Sequence, residues 1–355
     1  MKKLVILMTI VAAITACNNQ ENLFPDNEYL NPDGSPTGKH YGVYFSEQYP
    51  VRTLVLGHER FENPDNDSVF HIGVSIGGMY KNNRDWKVDY KIDKMLADSV
   101  IMGGTDTVRF LPDNYYSIEP AESVIIPSGS FDGLIKIKLN KNFFADPKAI
   151  TKKYVVPLRI TSTTADTILS GKVKKGVDYD IRRSGDFDVV PKSFTMFAIK
   201  FVNPYHGIYF HRGAVTYDEA GTSKTTVYRE KYLEKNQVRT LATARQFGVL
   251  LDGTANNKGG AFKMNLDFNG ENITITPVTG ATYAVTGTGK FLDEKHANAE
   301  QIAGIKYPTI YLQYSYTDKG ITYNAKDTLV RRERGIKYEF VDNAAVKPFG
   351  KKPVK

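Results

Sequence analysis

A period of two runs through this chain and restricts its fold more than any other feature. In Trp86-Lys87-Val88-Asp89-Tyr90-Lys91-Ile92, Trp86, Val88, Tyr90 and Ile92 fall on one face and the charged residues on the other. A helix would scatter both sets around its axis, whereas a strand buries one face and wets the other. Leu134 to Leu139 repeats the device, with Ile135, Ile137 and Leu139 inward and Lys136 and Lys138 outward. In Tyr154 to Ile160 the outward set includes Pro157, which predicts an edge strand because proline brings no N–H to a ladder. Gly42 to Phe45, Val51 to Leu56 and Val69 to Ile76 are shorter runs rich in Val, Ile, Leu and Phe. Short strands at this spacing predict an immunoglobulin-like β-sandwich over residues 41–170.

Gly171 to Asp188 is polar and punctuated by glycine, which predicts a linker over 171–194. The strands after it are longer: Thr195 to Val202, Gly207 to His211, Thr225 to Tyr232 and Val238 to Ala242. Phe262, Met264, Leu266 and Phe268 alternate with polar residues and run into Asn269-Gly270, a strong hairpin signal, before Asn272 to Thr276. Gly287 and Gly289 predict a bulge or sharp bend within Thr282 to Leu292. Thr309 to Tyr316 and Thr322 to Arg332 form a further hairpin around Asp318-Lys319-Gly320. Such a meander predicts an antiparallel β-barrel, lipocalin-like, or a curled sandwich over 195–342. Helical signal is confined to Asp293 to Ile305, and 343–355 reads as a basic, solvated tail. The expected class is all-β, in keeping with 22 Tyr and 19 Phe against one Trp.

The first seventeen residues, MKKLVILMTIVAAITAC, combine a positive head, an apolar run too short to span a bilayer and small residues before a cysteine. They read as a secretory signal peptide over 1–17. Cys17 is the only cysteine in the 355 residues, and its position resembles the lipobox of bacterial lipoproteins, in which that sulfur is lipidated. Residues 18–40, rich in Asn, Pro, Gly and Asp, read as a flexible tether. Loss of Lys2 and Lys3 would lower the formal charge from +8 to +6. The remaining lysines are dispersed instead of forming one stripe, so the basic balance points to solubility and away from nucleic acid.

Catalytic and metal constellations fail on spacing. His206 and His211, five residues apart along a strand, point to opposite faces. Asn63 to Ser68 resembles a calcium loop, but the twelfth position holds Val74 where a bidentate glutamate is needed. Gly185-Asp186-Phe187-Asp188 is similar to the acidic strand of chitinase-like glycosidases, without the third acid or the α/β barrel they use. No phosphate loop, nucleophile elbow or Cys/His nucleophile set is present, and no cofactor is expected. The expectation is a binding protein and not an enzyme. Sugars are held by aromatic faces and amides, and the candidates at strand ends are Tyr205, His206, Tyr217 and Tyr307, with Trp86 as an alternative platform or core residue. Asn256 and Asn257 sit on a hairpin tip that reads as a turn or a ligand loop. A structural or adhesion protein, and a glycosidase with an unrecognised acid pair, remain open.

Three stretches resemble a known N-terminal domain: Leu111-Pro112-Asp113-Asn114-Tyr115-Tyr116-Ser117-Ile118, Val124-Ile125-Ile126-Pro127-Ser128-Gly129 and Tyr154-Val155-Val156-Pro157-Leu158-Arg159-Ile160. That domain belongs to lipoproteins of Bacteroidota polysaccharide-utilisation loci. His206-Gly207-Ile208-Tyr209, Gly287-Thr288-Gly289-Lys290-Phe291, Thr309-Ile310-Tyr311-Leu312, Asp327-Thr328-Leu329-Val330 and Arg334-Gly335 are similar to the domain often fused to it. The resemblance implies an outer-membrane lipoprotein facing the exterior, in a SusE- or SusF-like position. It would capture oligosaccharide beside a TonB-dependent transporter and its lipoprotein lid, held to the membrane by its lipid anchor. It carries over no binding residue.

Overall fold

The computed structural model describes residues 41–57, 68–104, 107–253, 255, 262–337, 339, 341, 344–347 and 351–353. Cys17 with its leader, the 18–40 tether, Asn63 to Asp67, and Asn256 and Asn257 lie outside the described residues.

The N-terminal strands are Gly42–Tyr44 (β1), Val51–Val55 (β2), Val69–Gly77 (β3), Trp86–Ile92 (β4), Val100–Met102 (β5), Arg109–Phe110 (β6), Tyr116–Glu119 (β7), Ser123–Ile126 (β8), Asp132–Leu139 (β9), Tyr154–Thr163 (β10), Thr167–Ile168 (β11), Lys172–Val173 (β12), Phe187–Val189 (β13) and Phe194–Val202 (β14). Eleven of them form a sandwich of two sheets, ordered β11-β1-β3-β9-β7 and β2-β14-β10-β4-β8, with β6 also on β10, while β12 pairs with β13 and β5 lies outside both sheets. One short helix, Lys141–Ala145 (α1), is started by the Asn140 side chain, which accepts from the Asn142 N–H. The inward sets of the alternating strands meet between the sheets: Val43, Phe70, Ile72, Ile135 and Ile137 from one, Trp86, Val88, Tyr90, Leu158 and Phe201 from the other. Each such buried side chain contributes about 1.5–3 kcal/mol, which is why the alternation decides the layering.

Three expectations are corrected here. First, β10 is a central strand, paired with β14 on one side and with β6 and β4 on the other. Pro157 fits because it falls in the gap between the β6 ladder, which ends at Val155, and the β4 ladder, which starts at Leu158. Second, Thr195 to Val202, read as the first strand of the second domain, is part of β14 and belongs to the sandwich, where β14 pairs antiparallel with β10 and parallel with β2. Third, neither 171–194 nor the tail is a free segment. Ala344–Val346 (β26) pairs with β5, and the Lys351 N–H donates to Asp98 Oδ2 at 2.6 Å.

Arg182, fully buried, is the reason both segments are held. Its Nε and Nη2 take Asp180 at 2.9 and 2.6 Å. Nη1 donates to the carbonyls of Met95 and Asp98 at 3.1 and 2.7 Å, and Nη2 to that of Lys351 at 2.9 Å. Burial alone would raise the Asp180 carboxyl, but the Arg182 hydrogen bonds outweigh it and hold it below its ordinary value.

The second unit comprises Gly207–Glu219 (β15), Thr222–Tyr228 (β16), Gln237–Arg245 (β17), Gly248–Asp252 (β18), Lys263–Asn269 (β19), Asn272–Pro277 (β20), Val285–Leu292 (β21), Gln301–Ile302 (β22), Ile305–Lys306 (β23), Thr309–Asp318 (β24) and Ile321–Glu333 (β25). Among the described residues eight of these, β15, β17 to β21, β24 and β25, close into an antiparallel barrel through the β15–β25 pairing. On one edge of β15 the first half carries β17 and the second half carries β16. Tyr209, Leu241, Val249, Leu266, Ile275, Ile310, Leu312 and Leu329 fill the interior. The segment from Asp293 to Ile305 is turns and the start of the short β22–β23 hairpin, not a helix. At the joint between the units, Asn203 is buried and its amide donates to the carbonyls of Arg245 and Gly248 at 2.9 and 2.8 Å. Arg334 reaches across to the carbonyls of Leu56 and Asn203 at 3.2 and 2.8 Å.

Candidate functional site

Closure of the barrel brings the outward residues of six strands into register. One row runs Thr274–Thr288–Gln313–Lys326–Ala214–Val227 across β20, β21, β24, β25, β15 and β16. Beside it runs Asn272–Lys290–Tyr311–Thr328–Arg212. On the other side runs Thr286–Ser315–Asn324–Thr216–Thr225. Nearly every member is polar. Where the first two rows meet, the wall is concave and encloses a groove of about 820 Å³, within the range of about 300–1,000 Å³ common for ligand sites. A second hollow of about 420 Å³ continues over the third row.

The concavity follows from the inward positions behind it. A Cβ on Gly289 would lie 2.5 Å from the Tyr311 carbonyl oxygen, and one on Gly213 would lie 2.4 Å from Asp327 Oδ1. Only glycine permits so close an approach, so Gly287 and Gly289 of β21 lie tight against β24 while Thr288 between them faces out. The β21–β24 connection reaches the groove through Tyr311. Glu300 pairs with Arg212 at 2.7 Å and accepts from the Tyr311 hydroxyl at 3.2 Å. This holds the phenol ring in place at the surface. Burial, helped by Glu300, raises the Tyr311 phenol, and Arg212 and Arg229 oppose that rise.

Behind the groove lies a polar cluster inside the barrel. The Asp327 carboxylate, 1% exposed, accepts from the Tyr314 hydroxyl at 2.7 Å and from the Tyr228 hydroxyl, and faces His211 Nε2 at 3.0 Å. Arg239 Nε donates to His211 Nδ1 at 3.4 Å, and Arg239 also reaches the Asp252 and Ala255 carbonyls at 3.2 and 3.0 Å. The Tyr314 hydroxyl in turn accepts from the Ala255 N–H at 2.6 Å. Burial first, then Asp327, drives both the Tyr228 and Tyr314 phenols well above their ordinary values, so both remain protonated donors. Tyr228 reaches Asp327 over Gly213, which pins β16 to the barrel.

The residues proposed from sequence do not gather at one place. Trp86 is 2% exposed, with its Nε1 donating to Asn82 at 2.8 Å and Arg84 over its ring. It is a core residue, because its strand turns that face between the sheets. Tyr205 stacks on Phe268 at 3.6 Å and meets Phe291 edge-on, closing one end of the barrel. His206 Nδ1 accepts the Thr243 N–H at 3.1 Å, and burial, then Arg334 and Lys200, lower its pKa to about 4. Tyr217 lies at the opposite end of β15, against Tyr323, which stacks on Tyr316. Those rings occupy each other's faces. Tyr307, half-buried, lies in the β21–β24 connection and outside the groove's lining. Among the described residues no group of three or more His, Cys, Asp or Glu is placed to hold a metal ion, and no helix is long and apolar enough to cross a membrane. The rows around Tyr311 and Gln313 were missed in the sequence, although the outward threonines of Thr286-Gly287-Thr288-Gly289-Lys290 carried the signal.

Residues 37–167 match a family model for an N-terminal domain, and residues 204–335 match a domain of unknown function, DUF5627. A crystal structure from Bacteroides ovatus, described as a structural-genomics protein of unknown function, is 30% identical. It superposes with a TM-score of 0.79 over 87% of this chain and 100% of that one. A second Bacteroides ovatus structure, a multidomain protein including DUF1735, is 14% identical with a TM-score of 0.40 over 84% of this chain and 97% of that one, and carries no argument. No curated protein matches.

Proposed function

We propose a function for a chain that belongs to the family of that Bacteroides ovatus protein: it holds an oligosaccharide in the outer groove of its barrel and does not cleave it. The groove carries this reading. It presents threonine, asparagine and glutamine side chains in register beside one fixed tyrosine ring. Hydroxyls and amides at strand spacing match sugar hydroxyls, and a tyrosine offers an apolar face with a polar rim. The lining includes one carboxylate, Asp327, and it is buried and already bonded. A glycosidase needs two carboxyl groups flanking the scissile bond, so the groove supports binding without hydrolysis.

In this reading the protein stands in a SusE- or SusF-like position, anchored to the outer membrane through Cys17 and lifted from it by residues 18–40. Capture at a tether raises the local concentration of glycan beside a TonB-dependent transporter and its lipoprotein lid. The reading is tested by glycan-array screening and calorimetry on the full chain. Tyr311→Ala and Gln313→Ala should each weaken binding at least about tenfold, roughly 1.4 kcal/mol, with unchanged circular dichroism. Failure to bind any host, plant or microbial glycan would overturn it. Cys17→Ala should move the protein out of the membrane fraction while binding persists; a variant that stays membrane-bound would remove the anchor from the proposal.

A further inference from the structure

We infer that the groove selects glycans bearing carboxylate or sulfate groups, an inference that rests on its being a glycan site. Arg229, Lys290 and Lys326 line it and are exposed. The one acidic residue in the lining, Asp327, is turned inward, where Tyr228, Tyr314 and His211 surround it. Glu300, in the β21–β24 connection, is matched by Arg212 at 2.7 Å. Lys290 Nζ donates to the neutral Asn272 Oδ1 at 2.6 Å, which orients the ammonium without cancelling its charge. The groove therefore faces its ligand with an excess of positive charge.

Register also sets the spacing. Lys290 on β21 and Lys326 on β25 are two strands and one row apart, a backbone separation of about 12 Å from strand spacing and rise. One short oligosaccharide can present two acidic groups across that distance. Lys326 lies between Gln313 and Ala214, and the small Ala214 leaves space beside it. A cleft of one sign concentrates ligands of the other, and like charges held together gain most from an anion between them. Threonine and glutamine would suffice for a neutral sugar; the cations add a requirement on the ligand's charge.

The test is calorimetry on the full chain with matched tetrasaccharides: tetragalacturonate for carboxylate, a chondroitin sulfate tetrasaccharide for sulfate, and galactotetraose and mannotetraose as neutral partners. A charged probe should bind at least about tenfold more tightly than the neutral ones, as three weak ion pairs allow. Its affinity should fall as NaCl rises from about 50 to about 500 mM. The Lys290→Gln, Lys326→Gln double variant should lose about fivefold or more for the charged probe, and a larger factor for it than for the neutral ones. Equal binding of neutral probes, or a double variant that binds the charged probe as the parent does, overturns the charge selectivity and leaves the glycan site standing. No binding of either class overturns the charge selectivity, and the glycan site then stands or falls on the array screen. A short DNA duplex that binds as tightly as the charged tetrasaccharides overturns the inference by showing a basic patch without glycan selectivity. Both lysines are exposed, and far-UV circular dichroism verifies that the variant is folded.

Discussion

The sandwich and the barrel each bury an aspartate near an arginine, and they put it to different use. In the sandwich flank, Arg182 is the hub: it binds Asp180 and main-chain carbonyls from residues 95–98 and from the tail. The cation ties distant chain segments together. In the barrel the hub is a carboxylate. Asp327 gathers Tyr228, Tyr314 and His211 from three other strands directly behind the groove, between Lys326 and Thr328. The first arrangement fixes topology. The second fixes the shape of a wall whose other face meets solvent.

The comparison breaks most sharply at Arg182. Arg182→Ala leaves Asp180 buried without its partner and should destabilise the sandwich by about 3–5 kcal/mol, read by urea unfolding. A folded sample should still bind glycan, because the groove is in the other unit. Asp327→Ala strips the Tyr228 and Tyr314 hydroxyls of their acceptor and should cost about 2–3 kcal/mol, with weaker glycan binding as β16 loses its anchor. If Asp327→Ala unfolds nothing and binds normally, the claimed division between the two hubs fails. Gly289→Ala drives a Cβ against the Tyr311 carbonyl at 2.5 Å; the strain of overpacking is about 1–3 kcal/mol and should reduce affinity more than stability-matched variants in the sandwich.

The smallest effect concerns pH and the joint between the units. His206 has a folded pKa of about 4 against an ordinary 6.5, mainly through burial. The folded state favours neutral imidazole, so the unfolded chain takes up the extra proton. Stability should be level above pH 6.5 and decline as pH falls from 6.5 towards 4. Thermal melts across that window should show the decline, and His206→Gln should flatten it.

Much of the fold is legible in local pattern. The inward sets of Trp86 to Ile92 and Leu134 to Leu139 are the buried sets, and Asn269-Gly270 turns β19 into β20. The bulge expected at Gly287 and Gly289 is absent, since both lie in an unbroken ladder with β24, and the glycines instead permit close packing against Tyr314 and Tyr311. Pro157 misleads because a central strand can carry proline where two neighbouring ladders leave a gap, and a gap is a property of the neighbours. Phe194–Val202 misleads because an apolar strand does not state which sheet it joins. The polar stretch around Asp180 and Arg182 resembles a linker until the groups that satisfy it, some over a hundred residues away, are brought to it.

The candidate site divides in the same way. Alternation by itself determines that Thr288, Gln313 and Lys326 face outward, because side-chain direction along a strand depends on nearest neighbours alone. It determines equally that Trp86 faces inward. Only the tertiary structure places those outward residues side by side, since register and barrel closure join strands far apart in the chain. Only it surrounds Asp327 with Tyr228, Tyr314 and His211 and gathers Arg229, Lys290 and Lys326 at one groove. Direction is a local property and adjacency is not, which is why the faces could be read from the sequence and the surface they compose could not.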